Sequence, residues 1–182
     1  MRKDLGAKTW LFPMPVLILG TYDEKGVPNA MNAAWGGVYD TNKVTVSLAK
    51  HKTTENFAKT GAFTVAFATK KTVVASDYVG IVSANQVPNK VEKAGLHAVK
   101  ASKVNAPIFE EYPVTLECTI DSFEDGTLIG SIVNVSVDEA FLKDGKLDLA
   151  KCEFIAFDGA NGKYVALGDV VADAFKVGAS LK

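Results

Sequence analysis

The sequence predicts a mainly β fold with short helices, its strands antiparallel and curled into a small barrel. Three observations carry this. Short runs rich in β-branched and aliphatic residues recur along most of the chain. Tight-turn sequences containing glycine follow several of them, which favours hairpins over long crossovers. Strands do not alternate with full-length helices, and neither GxGxxG nor GxxxxGKS/T occurs, which argues against a Rossmann or P-loop module.

Residues 16–22 read as the first strand, and Asp23-Glu24-Lys25-Gly26 as the turn that follows, with glycine free to take positive φ. Residues 29–38 read as one returning strand containing the small residues Ala30, Ala33, Ala34, Gly36 and Gly37. Residues 43–48 alternate through Val44, Val46 and Leu48 and give a third strand. A helix then starts near Thr53, with a threonine N-cap and Glu55 in its first turn, and stops at Gly61. Residues 62–68 read as a strand, 73–82 as a helix containing Asp77, and 90–94 as a short helix ended by Gly95. Residues 114–124 and 127–137 flank Asp125-Gly126, a strong hairpin signal. Another turn falls at Asp144-Gly145, residues 153–157 and 164–167 read as strands, and residues 171–177 as a closing helix.

The chain of 182 residues fits a single domain, residues 1–182, and its 48% hydrophobic content supports a core. A net charge of −1 with scattered basic residues predicts no nucleic-acid partner and no membrane surface. No long apolar stretch follows Met1, so neither a signal peptide nor a membrane span is expected. Cys118 and Cys152 stand far apart without a CxxC, the usage of a cytoplasmic protein with reduced thiols. His51 and His97 lack a second metal ligand at suitable spacing, and no hydrolase motif is present.

Two segments carry candidate chemistry. At the third strand's end and the helix start, Ser47, Lys50, Lys52, Thr53 and Thr54 bring hydroxyls and ammonium groups to unpaired helix N–H groups, a cradle for phosphate. The plainer alternative is one capping threonine beside solvated lysines. In the second strand, Asn29, Asn32, Ala33 and Trp35 combine small residues, amide donors and acceptors and a rigid apolar face. That set suits a flat heteroaromatic ligand; the alternative is a tightly packed strand with a core tryptophan.

The order of these segments resembles the flavin reductase-like FMN-binding split-barrel family, most nearly its flavoredoxins. The resemblance rests on Pro13-Met14-Pro15-Val16-Leu17 with Gly20-Thr21-Tyr22-Asp23, on Pro28 to Gly37, on Val46-Ser47-Leu48 with Thr54 and Asn56, and on Phe63-Thr64-Val65. It continues through Asp77-Tyr78-Val79-Gly80-Ile81-Val82-Ser83, Asn89-Lys90 with Gly95-Leu96, Pro113 to Cys118, Gly130 to Val135, and Tyr164 to Phe175. Ala84, Asn89 and Val91 depart from the family pattern, in loop contacts and any nicotinamide signature. The resemblance implies an antiparallel split β-barrel, bound FMN and a homodimer. It implies that Ser47, Lys52, Thr53, Thr54 and Lys90 hold the phosphate, and that Asn29, Asn32 and Ala33 contact the ring or ribityl chain. Trp35 and Tyr164 would pack near the ring, Tyr164 from its own or the partner subunit, and Ser83 would lie in the adjoining loop.

Such a protein passes electrons through FMN, and no protein acid or base is assigned a catalytic role. NAD(P)H or a redox protein is the expected donor. A non-enzymatic FMN electron carrier and a flavin-free β-barrel binding module are the rival readings.

Overall fold

A computed structural model describes residues 1–181, and every strand pairing in it is antiparallel. The first half runs β1 (Met14–Pro15), β2 (Leu17–Tyr22), β3 (Pro28–Ala33), β4 (Gly36–Asp40), β5 (Lys43–Ser47), α1 (Lys52–Thr60), β6 (Ala62–Phe67), α2 (Val73–Ile81) and α3 (Lys90–Lys93). The second half runs β7 (Ala98–Lys100), β8 (Pro107–Phe109), β9 (Val114–Glu124), β10 (Thr127–Val137), β11 (Leu142–Lys143), β12 (Lys146–Leu147), α4 (Leu149–Cys152), β13 (Ile155–Asp158) and β14 (Lys163–Ala166). The expected hairpin forms β9 and β10, with Asp125 and Gly126 both at positive φ, 48° and 79°.

Seven strands form the main sheet in the order β3-β2-β6-β9-β10-β5-β4. The segment expected as one strand over 29–38 is therefore two strands, β3 and β4, at opposite edges of that sheet. Only Ala34 and Trp35 join them. Strands lie about 4.8 Å apart, so a flat sheet of this width would hold its edges roughly 29 Å apart. The peptide units from Ala33 to Gly36 span about 11 Å at most. The sheet must therefore curl until its edges nearly meet. β3 and β4 do not pair, so the barrel is split along this seam.

Gly36 is where the seam closes. A Cβ there would lie 2.8 Å from the Thr45 carbonyl oxygen and 2.9 Å from Leu17 Cδ1, on a strand next to the opposite edge. Gly37 faces open space, and a Cβ there would meet nothing within 4 Å.

The curl also explains the continuous apolar run at the start of β2. Leu17 and Leu19 enter the barrel core with Met31, Val46, Phe63 and Leu128. Val16 and Ile18 point outward into a second core with Ala30, Ala66, Val79, Phe109 and Ile155. A strand buried on both faces has no polar side to alternate with. Phe57 of α1 plugs one end of the barrel, its ring edge-on to Phe123 at 5.1 Å.

Glycine stops α1 as expected, with Gly61 at φ 68° and its N–H bonded to the Phe57 carbonyl. The N-cap differs. His51 takes the cap, and Thr54 sits three residues in, its hydroxyl accepting the His51 N–H at 2.9 Å. The expected closing helix over 171–177 is absent; a 3-10 turn over Val177–Leu181 stands instead. Val170, Val171 and Phe175 are almost fully exposed, and a short apolar segment gains helical stability mainly by packing.

Gly36→Ala should lower stability by roughly 1–3 kcal/mol, because the new methyl group meets backbone at the seam. Gly37→Ala should be neutral or stabilise by about 0.5–1 kcal/mol, through lost unfolded-chain entropy. Urea unfolding of the two variants checks the pair, and equal effects would contradict the seam geometry.

Candidate functional site

The seam places its neighbours in one region. α2 packs over the edge strand β3, and Gly80 makes this close: a Cβ there would stand 2.9 Å from Asn32 Cβ. The Asn32 amide donates to the Ser76 carbonyl at 3.1 Å and ties strand to helix. Between β3, the start of α1 and the end of α2 lies a cleft of about 310 Å³. Asn32, Lys52, Thr53, Ser83 and Lys90 all line it. Five of the eleven residues singled out in the sequence thus converge on one cavity.

Thr53 is buried in the first turn of α1, where helix N–H groups lack intrahelical acceptors. The Asn29 amide donates to the Thr53 hydroxyl oxygen at 2.7 Å, which leaves the Thr53 proton free to donate into the cleft. Asn29 itself lies behind the wall, and its carbonyl oxygen is buried without a partner among the described residues. Thr54 does not line the cleft. Its hydroxyl serves the cap by accepting from the His51 N–H and donating to the His51 carbonyl.

Lys90 is the most unusual group in the cleft. Its side chain is buried, and its ammonium donates to the carbonyl oxygens of Val79 at 3.0 Å and Val82 at 2.8 Å. Both acceptors belong to the C-terminal end of α2, where carbonyls lack intrahelical donors. Burial pushes its pKa down to about 8. No carboxylate pairs with it among the described residues. Lys52 is half-exposed and reaches Glu55 only at 3.8 Å, leaving it able to turn toward the cleft.

A second hollow of about 230 Å³ continues past Asn32 and Gly80, lined by Ala33, Ala34, Asp77 and Tyr164. The Tyr164 hydroxyl donates to Asp77 Oδ1 at 2.8 Å and accepts from the Asn32 amide at 3.4 Å. Burial, then the Asp77 carboxylate, hold the Tyr164 phenol up at about 12, so it keeps its proton at neutral pH. This Tyr164 belongs to the same chain as the cleft. Trp35 and Ser47 stand apart from Thr53 and Lys90, in a third hollow that begins at Ala34. Gly80 and His51 also line the cleft, and Asp77 lines the second hollow; Asp77 and Gly80 stand in the Asp77-to-Ser83 segment of the resemblance, without an expected ligand role, and His51 has none either. A hollow of about 750 Å³ beyond α3, lined by Val27, Pro28 and Leu96, gathers none of the expected residues.

The curled seven-stranded sheet with a helix N-terminus, a buried lysine and a tyrosine at its seam defines a class. A family model described as "Flavin reductase like domain" matches residues 9–150, and the chain belongs to that family. Flavoredoxin of Desulfovibrio vulgaris (Miyazaki F) superposes with a TM-score of 0.93 at 36% identity, over 98% of this chain and 100% of that one. Flavoredoxin from Methanosarcina acetivorans gives 0.89 at 26% identity, with both chains fully covered. An uncharacterized Archaeoglobus fulgidus protein is 29% identical over 147 residues, 77% of this chain and 81% of that protein.

Proposed function

We propose that this chain binds FMN across the seam and works as a flavin-dependent oxidoreductase of flavoredoxin type. One observation carries the reading: the buried Lys90 ammonium faces a cleft at a helix N-terminus and has no anion of its own. Buried charges are costly unless paired, and a phosphate supplies the missing partner. Thr53, Lys52, Ser83 and Lys90 would hold the phosphate, and Asn32 with Ala33 the ribityl chain and ring. Family membership and the flavoredoxin likeness support the flavin itself. Bound there, FMN supplies hydride and single-electron transfer. The protein's own part is to fix the ligand, to shield one side with α2, and to keep a proton on Tyr164 Oη.

FMN should bind far more tightly than riboflavin, which lacks the phosphate. Thr53→Val and Lys90→Met should each weaken FMN by about tenfold or more, the scale of a charge-assisted hydrogen bond, and leave riboflavin nearly unchanged. The pH dependence has a definite sign. The phosphate is a dianion above about pH 6, and Lys90 in the free protein loses its proton above about 8. FMN affinity should therefore fall as pH rises through about 8, with riboflavin affinity flat. Calorimetric titration checks this, and equal affinity for the two ligands would overturn the assignment.

Anaerobic mixing of FMN-loaded protein with NADH and NADPH tests the redox role. Bleaching of the flavin absorbance supports an NAD(P)H-dependent enzyme. Reduction by dithionite but by neither nucleotide would assign a carrier fed by a redox protein, and absence of bound flavin would leave a binding module.

The protein is further proposed to be a cytoplasmic homodimer. Val170, Val171 and Phe175 in the tail, with Val38 and Tyr39 on β4, expose apolar surface that a second copy would cover. Both cysteines are buried free thiols, as suits a reducing compartment. No helix among the described residues is long and apolar enough to cross a membrane. Light scattering at micromolar FMN-saturated protein should give twice 19.4 kDa, and a monomer would refute the dimer.

A further inference from the structure

Away from the seam, a fourth hollow of about 210 Å³ lies between the β8–β9 connection and the end of β10. Thr115 lines it, and strand alternation sets the direction of that side chain. Leu116 packs into the inner barrel core, so Thr115 projects from the outer face of β9. Thr115 is only 2% exposed, and its hydroxyl is buried without a partner among the described residues. Tyr112, also in the wall, has its hydroxyl engaged by Ser76 at 3.0 Å. Ser136 stands opposite Thr115 across the β9–β10 pair and faces the same hollow. A buried hydroxyl left unpaired calls for an occupant.

Charge is the second, independent observation. Glu110 and Asp138 line the same hollow, and neither carboxylate pairs with a lysine, arginine or histidine among the described residues. His97 accepts the Glu110 N–H at its carbonyl, but its imidazole pairs with Glu111. Asp138 Oδ1 accepts the Ala140 N–H at 2.9 Å, which leaves Oδ2 free. Both carboxylates are exposed while Thr115 is buried, so the hollow runs from an anionic mouth to a hydroxyl floor.

We propose that this hollow binds a hydrated magnesium ion, with the Glu110 and Asp138 carboxylates as ligands and the Thr115 and Ser136 hydroxyls bonded to the ion's waters. Every polar side chain in the wall offers oxygen, and no imidazole or thiol lines it, which disfavours zinc and copper. Magnesium keeps several of its waters and is held through one or two carboxylates, as here. A water takes roughly 30 Å³, so the ion and several waters fit the volume. The ion would tie the β8–β9 connection to the end of β10. The site lies outside the seam and does not depend on the flavin reading.

The test adds manganese, a paramagnetic stand-in for magnesium, to the full chain and follows its backbone amide NMR signals. At substoichiometric manganese the amides of Glu110, Thr115, Ser136 and Asp138 should broaden first, and excess magnesium should restore them. Glu110→Gln and Asp138→Asn should each weaken manganese roughly tenfold, the scale of a charged contact. Asparagine can still cap the turn after β10, so that variant should fold. Thr115→Val, nearly equal in shape, should fold and weaken manganese by about threefold or more, the scale of a neutral hydrogen bond. Unchanged affinity in Thr115→Val would mean that its hydroxyl holds a buried water alone, and would overturn the proposal. So would broadening spread over the exposed carboxylates, or broadening that magnesium does not reverse. Broadening centred on Thr53 and Ser83 would place the ion on a phosphate in the cleft and would equally overturn it.

Discussion

The link of Ala34 and Trp35 between the two edge strands is the constraint on which the rest of the structure depends. A chain that leaves one edge and joins the other within two residues cannot lie on a flat seven-stranded sheet. Curling follows, and with it an inner core around Leu19 and Phe63 and an outer core around Ile18 and Val79. Because β3 and β4 meet without pairing, backbone and side chains at the seam are left to be satisfied by something else. α2 covers one flank through Gly80 and Asn32, and the start of α1 closes another.

The electrostatics of the cleft follow from this packing. Lys90 reaches in under α2 and binds its terminal carbonyls, while α1 aims its N-terminus at the same space. Both helices therefore present positive potential to one small volume, α1 through its N–H groups and α2 through the ammonium it anchors. Asn29, orphaned at its carbonyl oxygen, orients Thr53 from behind. Along the cleft the character changes from cationic at Lys90 to amide at Asn32 and phenol at Tyr164, the order of groups along a flavin nucleotide.

Local signals were legible in the sequence and long-range ones were not. Gly61, Gly95 and Asp125-Gly126 mark helix and hairpin ends through their own backbone geometry, and each falls where expected. The break at Ala34 and Trp35 has no local signature, because small and β-prone residues run through it; it exists only because the barrel closes. The sequence places the helix start near Thr53, whereas α1 opens at Lys52 with His51 as its cap, so the Thr54 hydroxyl is engaged in the cap while Thr53 lines the cleft. Lys90 is legible as a phosphate-holding candidate through the resemblance, but its burial has no signal in the sequence, since lysine is rarely buried without a partner. Trp35 and Ser47, which the resemblance places near the ring and the phosphate, line the hollow next to the cleft, a placement set by the seam and not by local sequence.

Backbone NMR of the apo protein titrated with FMN tests the central claim, that the ligand site is the seam itself. The amide signals of Asn32, Ala33, Thr53, Gly80, Ser83 and Lys90, which come from four separate stretches of chain, should shift together at one stoichiometric end point. Shifts confined to one of these stretches, or clustered instead at Val27, Leu96 and Ala98 in the hollow beyond α3, would contradict it.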